Sequence, residues 1–170
     1  MTSVQGVEPE HRGDPTYKTR LAQVESFLTS KHAIVLATCE GDRVTARTVT
    51  FASRGTDVYF LSLAGNTKCR QIEANPNVAL CRDHVQIEGT AEILGHAGDE
   101  ENADVAAVFR AKYGDGYERH INHPAMVAIR VRPSRIGFFY TKGERFLVDR
   151  LDIASQTLTV ERLDEATASG

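Results

Sequence analysis

Short polar turns set between strand-length apolar runs restrict this chain more than any other feature. HAIVLATC (32–39), VTARTVTFAS (44–53) and DVYFLS (57–62) are joined only by EGDR and RGTD. Turns this short join antiparallel neighbours, because a parallel crossover takes about a dozen residues or more. VALCRD and HVQIEGTAEIL (84–94) repeat the pattern across a tight turn near Arg82-Asp83, and Gly89 interrupts the second of them as a bulge or a barrel corner would. MVAIRVRPSRIGFFYT reads as one long strand or a pair broken at Pro133, and GERFLVDRLDI and TLTVERL supply the last two strands around Ser155-Gln156. Helical spacing is confined to a few places. Thr16 opens a helix carrying Leu21, Val24, Phe27 and Leu28, and Gly98 or Asp99 caps another carrying Val105, Val108 and Phe109. The segment GDGYERHINHP reads as an irregular link. The fold class expected is mainly β with flanking helices, closed as an antiparallel barrel.

The 170 residues suit one domain, expected over 16–164, with a flexible N-terminal tail (1–15) and a short C-terminal tail (165–170). A net charge of -3 with no basic block argues against nucleic acid as a partner. No apolar run approaches the ~18 residues of a membrane span, and the polar N-terminus has no signal core, so a cytoplasmic protein away from membranes is expected. Cys39, Cys69 and Cys81 have no CxxC spacing and read as reduced thiols used in packing. His120 and His123 are close, but no carboxylate or thiol completes a ligand set, so no metal is expected.

Two segments carry chemistry. NTKCRQIEANPNVAL (66–80) is a short helix ended by Asn75-Pro76, with Asn66 and Thr67 as capping side chains and Lys68 in the first turn. A lysine there opposes the helix dipole unless an anion is present, in which case amides, dipole and ammonium converge on it. The alternative is a surface helix with a solvated lysine. On the second strand Thr45, Arg47, Val49 and Phe51 share one face, and an arginine among such neighbours needs a partner. A phosphate is one; a salt bridge to Glu73 or Asp57 is the other.

ARTVTF, NTKCRQIEANPNVAL, the strand into IEGTAEIL, and RPSRIGFFY followed by DRLD and VERL, in that order, resemble the FMN-binding split β-barrel, or pyridoxamine 5'-phosphate oxidase-like, family. The similarity spans about residues 16 to 164. It implies a split β-barrel of Greek-key type and a homodimer with two FMN molecules in the grooves between subunits. By position, Arg47 matches the strand arginine on the FMN phosphate, and Thr48, Val49 and Thr50 follow along the flavin edge. Leu61 and Ser62 match the pair lining the ring and ribityl chain. Thr67 and Lys68 match an Arg-Lys phosphate grip, with one charge replaced by a hydroxyl. His84 takes the place of a flavin-contacting Gln, and Gln86 lies two residues on; either is a candidate. Phe139 stands for a flavin-contacting Trp, and Arg150 matches a late-strand Arg. Phe146 and Val148 replace the Arg and His that hold the substrate phosphate in the namesake oxidase. The resemblance is therefore to a flavin protein nearer the general stress protein branch.

Three activities are compatible with this resemblance. The first is an FMN-dependent oxidoreductase passing hydride between NAD(P)H and a small-molecule acceptor. The second is a reductase using a deazaflavin coenzyme, whose acidic tail would favour Arg43, Arg54, Arg70 and Arg82. The third is a non-catalytic flavin-binding stress protein. No residue stands out as an acid or base, so no catalytic side chain is named. RIGFFY places Ile136, Phe138 and Tyr140 on one face and Phe139 on the other, which suggests an apolar surface that a second subunit covers.

Overall fold

The computed structural model describes residues 15–164. The predicted C-terminal tail, and the N-terminal one except for Pro15, lie outside the described residues. The first helix, α1 (Tyr17–Ser30), starts where Thr16 Oγ1 accepts from the Thr19 amide at 3.2 Å. Strands β1 (Ala33–Glu40), β2 (Arg43–Arg54) and β3 (Asp57–Leu63) follow as the expected antiparallel set. Glu40 faces Arg43 and Arg54 faces Asp57, leaving two-residue loops whose first positions, Gly41 and Gly55, have φ of 59° and 58°. A β-carbon resists that backbone and glycine does not. Next come α2 (Thr67–Ala74), β4 (Asn77–Arg82) and β5 (Val85–His96). Asp83 takes positive φ in the loop between those strands.

Helix α3 (Ala103–Tyr113) is preceded by a 3-10 turn over Glu100–Asn102. The link expected to be irregular holds a second 3-10 turn, Asp115–Tyr117, and a helix, α4 (Glu118–Ile121). The Tyr117 ring anchors it, stacking on Phe109 with centroids 5.1 Å apart and planes 9° from parallel. The chain ends in β6 (Met126–Lys142), β7 (Arg145–Asp152) and β8 (Thr157–Arg162).

The strands are ordered β3-β2-β1-β4-β5-β6, and β6 returns to β3, closing a six-stranded antiparallel barrel. The closure depends on the length of β6. Its first part, 126–131, pairs with β3, its last part, 135–142, pairs with β7, and β5 runs beside most of it. Pro133 does not break the strand. It sits opposite Gly89, where the register slips, so the missing amide falls at a bulge. A β-carbon on Gly89 would lie 2.3 Å from the Arg132 carbonyl oxygen, a contact only glycine avoids. Strands β7 and β8 extend as a wing beyond the barrel.

Inward residues of all six barrel strands form one core, which Val24 and Leu28 of α1 cover. Phe109 and Val105 of α3 and Ile121 of α4 form a second core against Tyr59, Ala52 and Ala128 on the outside of the barrel. Lys112 ties α3 to the end of α1, and Tyr113 ties it to β2. The ammonium donates to the Leu28 carbonyl at 3.3 Å and to that of Lys31, and the phenol donates to the Phe51 carbonyl at 2.5 Å. The outward face of β1, β2 and β4 has no such cover: Val35 and Val44 are 39% and 68% exposed. Cys81 is exposed on this face rather than packed, while Cys69 is buried and Cys39 half-buried. Arg130 and Arg132 share Glu92 at 2.7 and 3.3 Å. No helix of the described residues is long and apolar enough to cross a membrane. Among those residues no group of three or more His, Cys, Asp or Glu is placed to hold a metal ion.

Candidate functional site

The inward face of β2 brings Arg47 to one end of the barrel beside Thr45 and, across the β1 pairing, Thr38. The guanidinium donates from Nη1 to Thr38 Oγ1 at 2.5 Å. From Nη2 it donates to Thr45 Oγ1 and, at 3.2 Å, to Gln71 Oε1 of α2. Neither Glu73 nor Asp57 pairs with it, and among the described residues no carboxylate forms a salt bridge to it. The partner that a strand-face arginine needs is thus a set of neutral oxygens. Burial holds the guanidinium below its usual pKa.

Lys68 has the same kind of surroundings. Its Nζ donates to Ser62 Oγ at the end of β3, 3.0 Å away, and no ion pair to it exists among the described residues. Burial lowers its pKa, and the neighbouring Arg47 charge adds to the shift. Asn66 occupies the N-cap of α2, but its side chain does not cap. Its Nδ2 donates to Ser62 Oγ at 3.3 Å instead. The first amides of α2, at Thr67 and Lys68, therefore have no intrahelical acceptor. Two cations, close enough for the Arg47 charge to act on Lys68, and the open amides of α2 lie together, with no carboxylate of the described residues paired to either cation. The chemistry of that set fits a phosphate.

The other predicted residues occupy different places. Val49 is buried in the barrel, and Leu61 is half-buried against the second core. Thr48 and Thr50 lie on the opposite, exposed face of β2. Gln86, Phe139 and Arg150 lie on the solvent side of β5, β6 and β7. Gln86 and Arg150 line a groove of about 460 Å³ floored by Gly137 and bordered by Thr157 and Thr159. Arg150 is held there by Glu161 at 2.5 Å. Phe139 and Phe146 stack nearby, centroids 6.4 Å apart, both exposed. His84 points elsewhere. Its ring lies between Phe27 of α1 and Phe138, with centroids at 5.3 and 4.5 Å, and desolvation lowers its pKa. The two sequence candidates, His84 and Gln86, thus have different neighbours, and only Gln86 shares the groove with Arg150. Among the described residues no hydrogen bond or ion pair joins this groove to the Arg47 and Lys68 cluster.

Sequence reasoning did not single out Thr38 or Gln71. Thr38 is signalled by register, since it lies directly opposite Thr45 in the hairpin. Nothing local marks Gln71, a polar residue on a short helix that tertiary packing buries completely.

A profile of the pyridoxamine 5'-phosphate oxidase family matches residues 21–140. No curated protein matches the chain. Several solved structures share the fold. General stress protein 26 from Bacillus anthracis is 21% identical, with a TM-score of 0.55 over 69% of this chain and 91% of that one. A pyridoxamine 5'-phosphate oxidase-related, FMN-binding protein from Nostoc punctiforme is 14% identical, with a TM-score of 0.56 over 85% of this chain and 93% of that one. HutZ from Vibrio cholerae, a heme storage protein, is 16% identical, with a TM-score of 0.56 over 66% and 88%. These likenesses speak for the fold, and the matched segment covers most of the chain, including both the Arg47 and Lys68 cluster and the start of the groove wall. The chain belongs to the pyridoxamine 5'-phosphate oxidase family.

Proposed function

We propose that this protein binds FMN and acts as an oxidoreductase between NAD(P)H and a small-molecule acceptor. The observation that carries the reading is the pairing of Arg47 and Lys68, two part-buried cations whose partners are hydroxyls and an amide oxygen. Held this way, neither cation is neutralised by a carboxylate of the described residues, and both are left to meet a dianion. Arg47, Lys68 and the α2 amides hold the phosphate, and Ser62 orients the lysine. Bound FMN supplies two-electron transfer, and the chain's task is orientation and exclusion of water. A nicotinamide reductant binds transiently, since the described residues form a barrel and no dinucleotide-binding fold.

The active unit in this reading is a homodimer. The exposed Val35, Ala46, Val44 and Ala79 form an uncharged patch on β1, β2 and β4, which a second copy of the chain is suited to cover. The groove lined by Gln86 and Arg150 then belongs to a site completed by the partner.

The test is the visible spectrum of the purified protein, followed by anaerobic addition of NADPH. An oxidised-flavin spectrum that NADPH bleaches is expected. A flavin spectrum that does not bleach points to a carrier, a protein binding only deazaflavin points to the other coenzyme, and a heme spectrum overturns the reading.

A further inference from the structure

Gln71 is wholly buried on α2, and its amide nitrogen has no hydrogen-bond partner. Its amide oxygen is crowded. It accepts from Thr38 Oγ1 at 2.6 Å, from Thr45 Oγ1 at 2.8 Å and from Arg47 Nη2 at 3.2 Å. The directions of these bonds are fixed. Arginine only donates, so both threonine hydroxyls accept from it and each must send its single proton onward. Both protons go to Gln71, and only the oxygen end of the amide can take them. The orphaned nitrogen is what this orientation leaves behind. A buried donor without a partner is a penalty that the fold carries for the sake of the oxygen.

We infer that Gln71 is the positioning residue of the phosphate clamp: its amide oxygen gathers Thr38, Thr45 and Arg47 into one array and fixes where the Arg47 charge is presented. This rests on the FMN-phosphate reading above. An amide is suited to the task where a carboxylate is not. Glutamate would accept the same three bonds but would cancel the arginine charge, whereas glutamine holds the cation and leaves its charge to an external anion. Because Gln71 and Lys68 share one helix, the brace also sets the two cations relative to each other. Gln71 itself does not touch the phosphate.

The experiment compares dissociation constants for FMN and riboflavin, which differ only in the phosphate, for the full chain and for Gln71→Glu. In the unaltered protein FMN is expected to bind much more tightly than riboflavin. A ratio near one there overturns the phosphate reading itself. In Gln71→Glu the ratio is expected to fall by about tenfold or more, with riboflavin affinity unchanged. A ratio that stays high overturns the inference and leaves the phosphate reading standing. Equal weakening of both ligands also overturns it, since that is the mark of a merely structural role. Thr45→Val keeps the side-chain shape and removes one link of the array. It reads the same ratio if Gln71→Glu does not fold, and an unchanged ratio there again overturns the inference.

Discussion

The Arg20 guanidinium of α1 donates from Nε to Asp149 Oδ2 at 2.6 Å, across an ion pair buried between the helix and β7. Tyr140 donates to the other carboxylate oxygen at 3.0 Å, and the guanidinium carbon lies 4.3 Å from the centre of the Phe138 ring. Asp149 is completely buried, and among the described residues Arg20 and Tyr140 are the side chains that pair with its carboxylate. The pair pins α1 to the strands beyond the barrel.

Asp149→Ala leaves a buried arginine and a phenol without their acceptor. We expect it to lower stability by about 3–5 kcal/mol, the range for breaking a buried pair from one side. Replacing both partners, Arg20→Met with Asp149→Leu, should recover most of that loss. Denaturant unfolding of the three proteins decides it, and an Asp149→Ala midpoint equal to that of the parent would refute the argument.

Arg47→Ala and Lys68→Ala should each weaken FMN by about 1.5–3 kcal/mol, the range for hydrogen bonds to charged groups, while riboflavin affinity hardly changes. Flavin fluorescence titrations measure both. Equal losses for the two ligands would mean that the side chains do not meet the phosphate.

Turnover of pyridoxine 5'-phosphate should be absent. Phe146 is half exposed and Val148 is buried, so these two positions of β7 offer apolar surface where a substrate phosphate needs donors. Pyridoxal phosphate formation by the flavin-loaded protein is the readout, and rates typical of a dedicated enzyme count against the prediction.

The pH dependence of stability should carry a contribution from His84. Desolvation between Phe27 and Phe138 lowers its pKa, assisted by Lys31 and Arg20 and opposed by Asp83. The unfolded chain therefore binds more protons than the folded one near the ordinary histidine value of about 6.5. Stability is retained above that value and is lost as pH falls through it towards the folded pKa. His84→Gln should flatten this part of the profile in unfolding midpoints taken between pH 7.5 and pH 5.5, ranges chosen to bracket about 6.5. An unchanged slope would assign the dependence to other groups.

Flavin affinity should depend on protein concentration if each site spans two subunits. Val35→Glu, on the bare face of β1, should then shift sedimentation towards monomer and weaken flavin binding together. A monomer with full affinity would separate the two.

Much of the barrel is readable because its turns are local. Gly41, Gly55 and the Arg82-Asp83 turn each announce a reversal within four residues, and alternation along β2 identifies which side chains face inward. What is not local is harder to read. Pro133 could end a strand or sit in a bulge, and the outcome depends on Gly89, on another strand. The α4 turn lasts four residues and is held by the Tyr117 and Phe109 stack rather than by its own propensity. Arg47 and Lys68 stand out as charges in unusual settings, but Gln71 matters only because α2 docks beneath Thr38 and Thr45. Such a role is created by tertiary placement.

The seam between β3 and β6 also has a bearing on how the chain is made. During synthesis β1, β2 and β3 leave the ribosome early, and the hairpins among them form from neighbours. The open edge of β3 must wait for residues 126–131 before it is paired. Until then it presents unsatisfied amides and carbonyls beside Phe60 and Val58, the kind of edge that recruits other chains. Nascent chains stalled before β6 should therefore be the ones that aggregate or engage chaperones. Those released after residue 142, the end of β6, can close the barrel even before the β7–β8 wing exists.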